Sequence, residues 1–221
     1  LPPEERIRIA VNRDFSVPTK LDIASAYPAA ASHALQPRPD ADVTVSMACG
    51  PNLAYAEATI NSILNTCTDR SRISRLMVDD SDLSEADQAE LHRRYPCVQS
   101  LAGKPDESAG ARLRHISDSI ETRLWLHLDA GWRFFAPERL LSRLAAVLDS
   151  EPDVVSVAVN FEDATGLTGR NAPDEIVRRG VGTGRYVLTD RMPVGPALVD
   201  THRLAGMGGI DASAVDLQGD L

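Results

Sequence analysis

The sequence predicts an α/β fold: a mostly parallel, doubly wound central sheet flanked by helices, preceded by an N-terminal extension. Three observations predict it. From residue 41 onward, short apolar runs alternate with stretches of helical apolar period, the order that a parallel sheet requires. Two of those runs end in acids, Val78 into Asp79 and Asp80, and Leu128 into Asp129. The chain's 221 residues, 43% of them hydrophobic, suffice for one globular domain with a sizeable core.

Residues 1–40 read as a separate extension. Arg6 to Val11 alternates charged and apolar residues like a short strand. Leu21 to Leu35 reads as a weak helix interrupted by Pro28, and Gln36-Pro-Arg-Pro39 as a linker. A packing arm or a homodimer contact is the expected role.

The second unit, residues 41–221, opens with a strand over Val43–Ala48 and a Cys-Gly-Pro-Asn turn. Ala54 to Cys67 follows with helical spacing of Ala58, Ile60, Ile63 and Leu64. A strand over Ile73–Val78 closes on Asp79-Asp80-Ser81-Asp82, and Ser84 caps the next helix with Asp87 three residues on. Val98–Leu101 reads as a short strand, Ala109–Ile120 as a helix, and Leu124–Leu128 as a strand. Pro137 opens a helix through Leu148, with Leu140, Leu141, Leu144 and Leu148 on one face. Val154–Val159 is expected to be a buried strand, Asp163–Gly184 a long polar loop, and Tyr186–Leu188 and Ala197–Val199 further strands. The glycine-rich run Leu204 to Asp211 follows.

Charge and motif content exclude several classes. The net charge of −9 argues against a nucleic-acid binder, which normally carries a basic stripe. No apolar run approaches the ~20 residues that span a bilayer, and no charged-then-apolar leader is evident. Cys49, Cys67 and Cys97 are odd in number and widely spaced, so they read as reduced thiols in a cytoplasmic protein. There is no G-x-x-x-x-G-K-[ST] loop, no G-x-G-x-x-G after the first strand, and no G-x-S-x-G elbow. His33, His92, His115, His127 and His202 fall in no zinc spacing. His127, mid-strand, reads as a satisfied interior or sheet-face histidine.

Chemistry is expected at the strand ends, because ligands of open α/β sheets bind outside the carboxyl ends of the strands. Asp79, Asp80 and Asp129 all end strands that would open on one edge. Carboxylates there can accept hydrogen bonds from a ribose or base, or hold Mg²⁺ or Mn²⁺ through oxygen. The cluster at 79–82 reads equally well as a turn and helix start, where Asp is favoured. Lys104, Arg112 and Arg114 could lie near a diphosphate at a helix N-terminus, or form a solvated helix face.

The order of these motifs resembles the GT-A glycosyltransferases that use nucleotide sugars, family 2 in particular. Val43-Thr-Val-Ser-Met-Ala48 is similar to that family's first strand, and Ala58 to Thr66 to the helix that follows it. Leu76 to Asp82 is similar to its V-D-D-x-S-x-D segment, one residue short, and Gly110 to Ile116 to its arginine-bearing helix. Trp125 to Gly131 is similar to its D-x-D strand, and Gly208-Gly-Ile-Asp211 to a later G-G-x-D. The likeness covers about residues 41–221.

The resemblance implies a GT-A-like, Rossmann-like sheet and a cytoplasmic, hexosyltransferase-like glycosyltransferase. Residues 41–131 would be its nucleotide-binding half and 132–221 its acceptor half. It implies a nucleotide-diphosphate sugar donor and a small-molecule or glycan acceptor. Ala48, Asp79 and Asp80 would cradle base and ribose, with Lys104, Arg112 and Arg114 near the donor. Asp129 would be the first acid of the D-x-D and ligand to Mg²⁺ or Mn²⁺. Asp211, Asp216 and Asp220 are the candidates for the catalytic base. Gly131 stands where the second acid of that motif is expected, which puts the cation in question. A cationic side chain such as Arg133 or Arg170 would be one replacement. A non-catalytic GT-A-like module that binds nucleotide or a partner is the alternative reading. A sugar nucleotidyltransferase would want a Gly-rich loop with Arg and Lys after strand one, and Cys49-Gly-Pro-Asn52 is not one.

Overall fold

A computed structural model describes residues 35–101, 103, 107–159, 178–188 and 195–210. The expected strand Arg6–Val11, residues 21–34 of the expected helix, and residues 163–177 of the polar loop lie outside the described residues. The elements in chain order are β1 (Val43–Ala48), α1 (Leu53–Thr66), β2 (Ile73–Asp79), α2 (Glu85–Arg94) and β3 (Val98–Leu101). They continue with α3 (Ala109–Asp118), β4 (Leu124–Asp129), α4 (Leu140–Ser150), β5 (Ser156–Ala158), β6 (Arg178–Gly180), β7 (Gly184–Tyr186), β8 (Ala197–Asp200) and α5 (Thr201–Gly206).

Six strands form one sheet in the order β3-β2-β1-β4-β8-β5. β1 pairs in parallel with β2 and with β4, and β2 with β3. β8 runs antiparallel to both β4 and β5. The sheet is therefore mixed but mostly parallel, as expected.

The strand period of two divides the core into two layers. On one face Val43, Val45, Met47, Leu76, Val78, Leu124, Leu126 and Leu128 pack against Ala56, Ile60 and Ile63 of α1, Leu91 of α2 and Leu140, Leu141, Leu144 and Leu148 of α4. On the other a smaller cluster joins Met77, Leu101, Trp125 and Val199 to Ile116 of α3. Burying each such leucine contributes about 1.5–3 kcal/mol, so the first layer carries most of the cohesion.

Most helix starts follow local capping chemistry. Asn52 accepts from the Ala54 amide at α1, and Ser84 from the Asp87 amide at α2, whose carboxylate in turn accepts from the Ser84 hydroxyl at 2.7 Å. Ser108 caps α3, and Asp200 caps α5 through the amides of His202 and Arg203.

Four expectations need correction. Expected from Pro137, α4 instead begins at Leu140, because the preceding Glu138 bridges to Cys67. Its cap comes from far away in sequence: the Asp69 carboxylate accepts from the amides of Ser142 (2.6 Å) and Leu141 (3.4 Å). β5 is shorter than Val154–Val159 and half-buried, since it lies at the sheet edge beyond the antiparallel β8. The ladder expected at Tyr186–Leu188 is Gly184–Tyr186, and it pairs with Arg178–Gly180 in a separate two-stranded ribbon rather than in the main sheet. The end of the expected polar loop is therefore a hairpin, closed by Gly182 at φ +80° and by the Gly180 amide donating to Thr183 Oγ1.

Candidate functional site

The parallel register brings three predicted residues into one row. Ala48 at the end of β1 pairs with Asp79 of β2 on one side and with Asp129 of β4 on the other. Residues in register share a face, so the row lies on the α3 side of the sheet, above Met77, Ser46 and His127. The backbone ties the row together at its ends: the Cys49 amide donates to the Asp79 carbonyl, and the Ala130 amide to the Ala48 carbonyl, both at 3.0 Å.

Asp79 is buried. Its Oδ1 accepts from the Ser81 hydroxyl at 2.6 Å and the Ser81 amide at 3.1 Å. Its Oδ2 faces Arg112 Nε at 3.2 Å without a well-aligned hydrogen bond. Arg112 also clamps Asp82 through Nη1 at 2.5 Å and Nη2 at 3.2 Å. That bond to Asp82 raises the arginine's pKa against the opposing effect of burial. Arg112 thus braces α3 to the turn after β2. Gly103 lies directly over the carboxylate: a Cβ there would meet Asp79 Oδ1 at 2.6 Å and Ser81 Oγ at 3.0 Å.

Asp80, one residue on, turns to the other side. Its Oδ2 accepts from Ser100 Oγ at 2.7 Å and lies 3.1 Å from His92 Nε2, while Ser100 and His92 are themselves 2.7 Å apart. Asp80 is buried between α2 and β3 and fastens the turn rather than lining the row. The turn reading and the site reading of the acid cluster thus both apply, to different residues.

Asp129 is the open member of the row, its side chain 52% exposed. The chain leaves it through Gly131 at φ +104°, whose amide donates to the buried Thr59 Oγ1 of α1 at 2.9 Å. The position of the missing second acid is therefore a left-handed turn tied to the first helix. No three His, Cys, Asp or Glu side chains converge as metal donors among the described residues. A divalent cation would find one open carboxylate here, Asp129, since Asp79 is buried and held by Ser81, so a metal site built by the protein alone does not fit the described residues.

His127, one pleat below Asp129, was not among the expected site residues. Its Nδ1 lies 2.8 Å from Ser46 Oγ, and Ser46 Oγ accepts from Trp125 Nε1 at 2.7 Å. Its Nε2 faces Asp129 Oδ1 at 4.0 Å. Burial lowers its pKa, and the carboxylates of Asp129 and Asp79 only partly oppose that. The imidazole is therefore neutral at physiological pH. The interior-histidine reading holds for Nδ1. The signal for Nε2 is its spacing, since residues 127 and 129 of a strand share a face.

The remaining predicted residues lie apart or outside. Arg114 is exposed on α3, pairing with Asp118 at 3.8 Å and donating to the Ile210 carbonyl at 3.4 Å. Lys104, Arg170, Asp211, Asp216 and Asp220 lie outside the described residues. Cys49 and Cys67 are buried, and their thiols are pushed up to about 12, by burial first and then by neighbouring aspartates. They are inert as nucleophiles. No helix among the described residues is long and apolar enough to cross a membrane.

A mixed, mostly parallel sheet with a polar row at its carboxyl edge defines a Rossmann-like α/β fold. Within that class the fold is of the GT-A type. A mannosyltransferase from Pyrobaculum calidifontis, in complex with GDP-Man and Mn²⁺, matches with a TM-score of 0.58 at 18% identity, over 95% of this chain. The chain spans about 60% of that protein's length. The mannosyl-3-phosphoglycerate synthase of Rubrobacter xylanophilus matches at a TM-score of 0.45 and 17% identity, over 74% of this chain and 54% of that one. No protein family profile and no curated protein matches the chain.

Proposed function

We propose that the chain is a glycosyltransferase, hexosyltransferase-like, that moves a sugar from a nucleotide diphosphate to a small-molecule or glycan acceptor. One observation carries the reading: the Asp79–Ala48–Asp129 row at the carboxyl edge of a GT-A sheet. The GDP-Man bound by the Pyrobaculum mannosyltransferase supports a nucleotide sugar as the ligand class. Residues 41–131 form the nucleotide half in this reading. Ala48 leaves room for the nucleoside, Asp79 supplies a pinned carboxylate acceptor, and Asp129 supplies an open one. Lys104 and Arg114 serve the donor from α3 and the loop before it, with Arg112 bracing Asp79. Residues 132–221 receive the acceptor, and Asp211, Asp216 and Asp220 are candidates for the base that deprotonates it. The assay is calorimetry with UDP, GDP and dTDP, with and without Mn²⁺. Binding of at least one is expected, and binding of none refutes the reading.

A second reading, a non-catalytic module that binds nucleotide or a partner, is favoured by Gly131. Sugar transfer or donor hydrolysis that disappears in Asp129→Asn rules that module out. A lost hydrogen bond to a charged group costs about 1.5–3 kcal/mol, so affinity in Asp129→Asn should fall at least about tenfold.

A further inference from the structure

The buried polar chain beneath the row has a definite hydrogen-bond direction. Trp125 Nε1–H can only donate, so Ser46 Oγ accepts from it at 2.7 Å. Ser46 is fully buried, and among the described residues its hydroxyl proton meets His127 Nδ1 at 2.8 Å as acceptor. Were Nδ1 protonated instead, it would donate to Ser46 and leave that buried hydroxyl proton without an acceptor, a cost of about 1–3 kcal/mol. With Nδ1 accepting from Ser46, the imidazole carries its proton on Nε2. Nε2 stands 4.0 Å from Asp129 Oδ1.

A separation of 4.0 Å is too long for a hydrogen bond, but suits one oxygen standing between the two groups at ordinary hydrogen-bond lengths from each. That oxygen must accept from Nε2–H and donate to the carboxylate. A phosphate oxygen can accept but has no proton to donate, and it would be repelled by Asp129. A hydroxyl does both. The geometry points to His127 as a binding residue that, together with Asp129, recognises one ribose hydroxyl of the donor nucleotide, with Trp125 and Ser46 fixing its tautomer as positioning residues. This rests on the nucleotide-sugar reading above and adds to it a residue and a group recognised.

Two measurements test it. Long-range ¹H–¹⁵N correlation of the histidine side chains reads the tautomer in the unmodified protein. Nε2–H is expected for His127, and an Nδ1–H tautomer overturns the proposal. Calorimetry then compares UDP and GDP with their 2′-deoxy and 3′-deoxy forms. The wild-type protein should bind one deoxy form at least about tenfold more weakly than the ribonucleotide, because the missing hydroxyl donated to a charged carboxylate. His127→Ala and His127→Phe should narrow that ratio to the part that Asp129 alone supplies, by weakening the ribonucleotide more than the deoxy form. Unchanged discrimination in folded His127 variants overturns the proposal alone. Failure of every nucleotide to bind the wild-type protein overturns it together with the nucleotide-sugar reading.

Discussion

Replacing Gly131 by aspartate would restore the second acid that the D-x-D pattern calls for, and its cost can be worked from the turn. The residue sits at φ +104°, a conformation that L-residues adopt only under strain. An ideal Cβ there has nothing within 4 Å, so no steric clash adds to the backbone term. Left-handed backbone costs an L-residue roughly 1–2 kcal/mol. The turn has little freedom to relax, because the Gly131 amide is held by the buried Thr59 hydroxyl and the Ala130 amide by Ala48. In a domain of this size about 1 kcal/mol corresponds to a Tm change of about 2–4 °C. Gly131→Asp should therefore melt roughly 2–8 °C below wild type. Since the cost lies in the backbone, Gly131→Ala should lose the same amount, to within about 0.5 kcal/mol in urea. High salt screens the new carboxylate against Asp129 and keeps the comparison clean. Two results would refute the reasoning: a Gly131→Asp protein as stable as wild type, or one far less stable than Gly131→Ala.

Two further substitutions follow from the same geometry. Gly103→Ala puts a Cβ against an Asp79 carboxylate that the Ser81 amide and hydroxyl hold in place. It should cost about 1–3 kcal/mol in urea denaturation and weaken nucleotide binding in calorimetry; unchanged affinity would separate Asp79 from the ligand. Asp69→Ala removes the cap of α4 and should cost about 0.5–2 kcal/mol at neutral pH. Burial works to raise the Asp69 pKa, but hydrogen bonds from Ser142, Cys67 and Leu141 outweigh it and leave it below the ordinary aspartate value of 3.8. A depressed folded pKa means that the ionised form stabilises the fold above 3.8 and that this contribution is lost as pH falls through the folded value. The gap between the wild-type and Asp69→Ala urea midpoints should therefore be full at pH 7 and shrink below 3.8; a gap that widens on acidification would contradict the assigned cap.

Local patterns made the parallel half of the fold readable from sequence. β1, α1, β2, α2, β3, α3 and β4 fall within a few residues of their expected bounds, because each has its own apolar period and most helices carry a cap just ahead of them. The departures come where distant partners decide. Pro137 offered a local start for α4, but Asp69, far back in the chain, supplies the cap. The antiparallel insertion of β8 between β4 and β5 is a pairing choice that no local pattern encodes. At the site, strand-end acids identified the row, since parallel register follows from topology. Which acid faces the row and which fastens the turn depended on His92 and Ser100, contributed by α2 and β3. His127 was readable only in part: its place on a strand suggested an interior role, and its spacing from Asp129 carried the rest.

The two faces of the sheet differ in their chemistry. The face under α1, α2 and α4 is apolar along β1 and β4, so its packing is insensitive to charge and carries the cohesion of the domain. The α3 face is different. Along β1 it presents Thr44, Ser46 and Ala48, and along β4 Trp125, His127 and Asp129. Thr122 donates to Thr44 at one end, Trp125 and His127 meet Ser46 in the middle, and Asp129 opens at the edge. Polar groups this deep cost stability unless each is satisfied. A fold that needed only cohesion would gain by replacing them with aliphatic residues. The Trp125–Ser46–His127 hydrogen bonds stop one pleat short of Asp129, and in the proposed reading their purpose is to fix which atoms the sheet presents to a ligand.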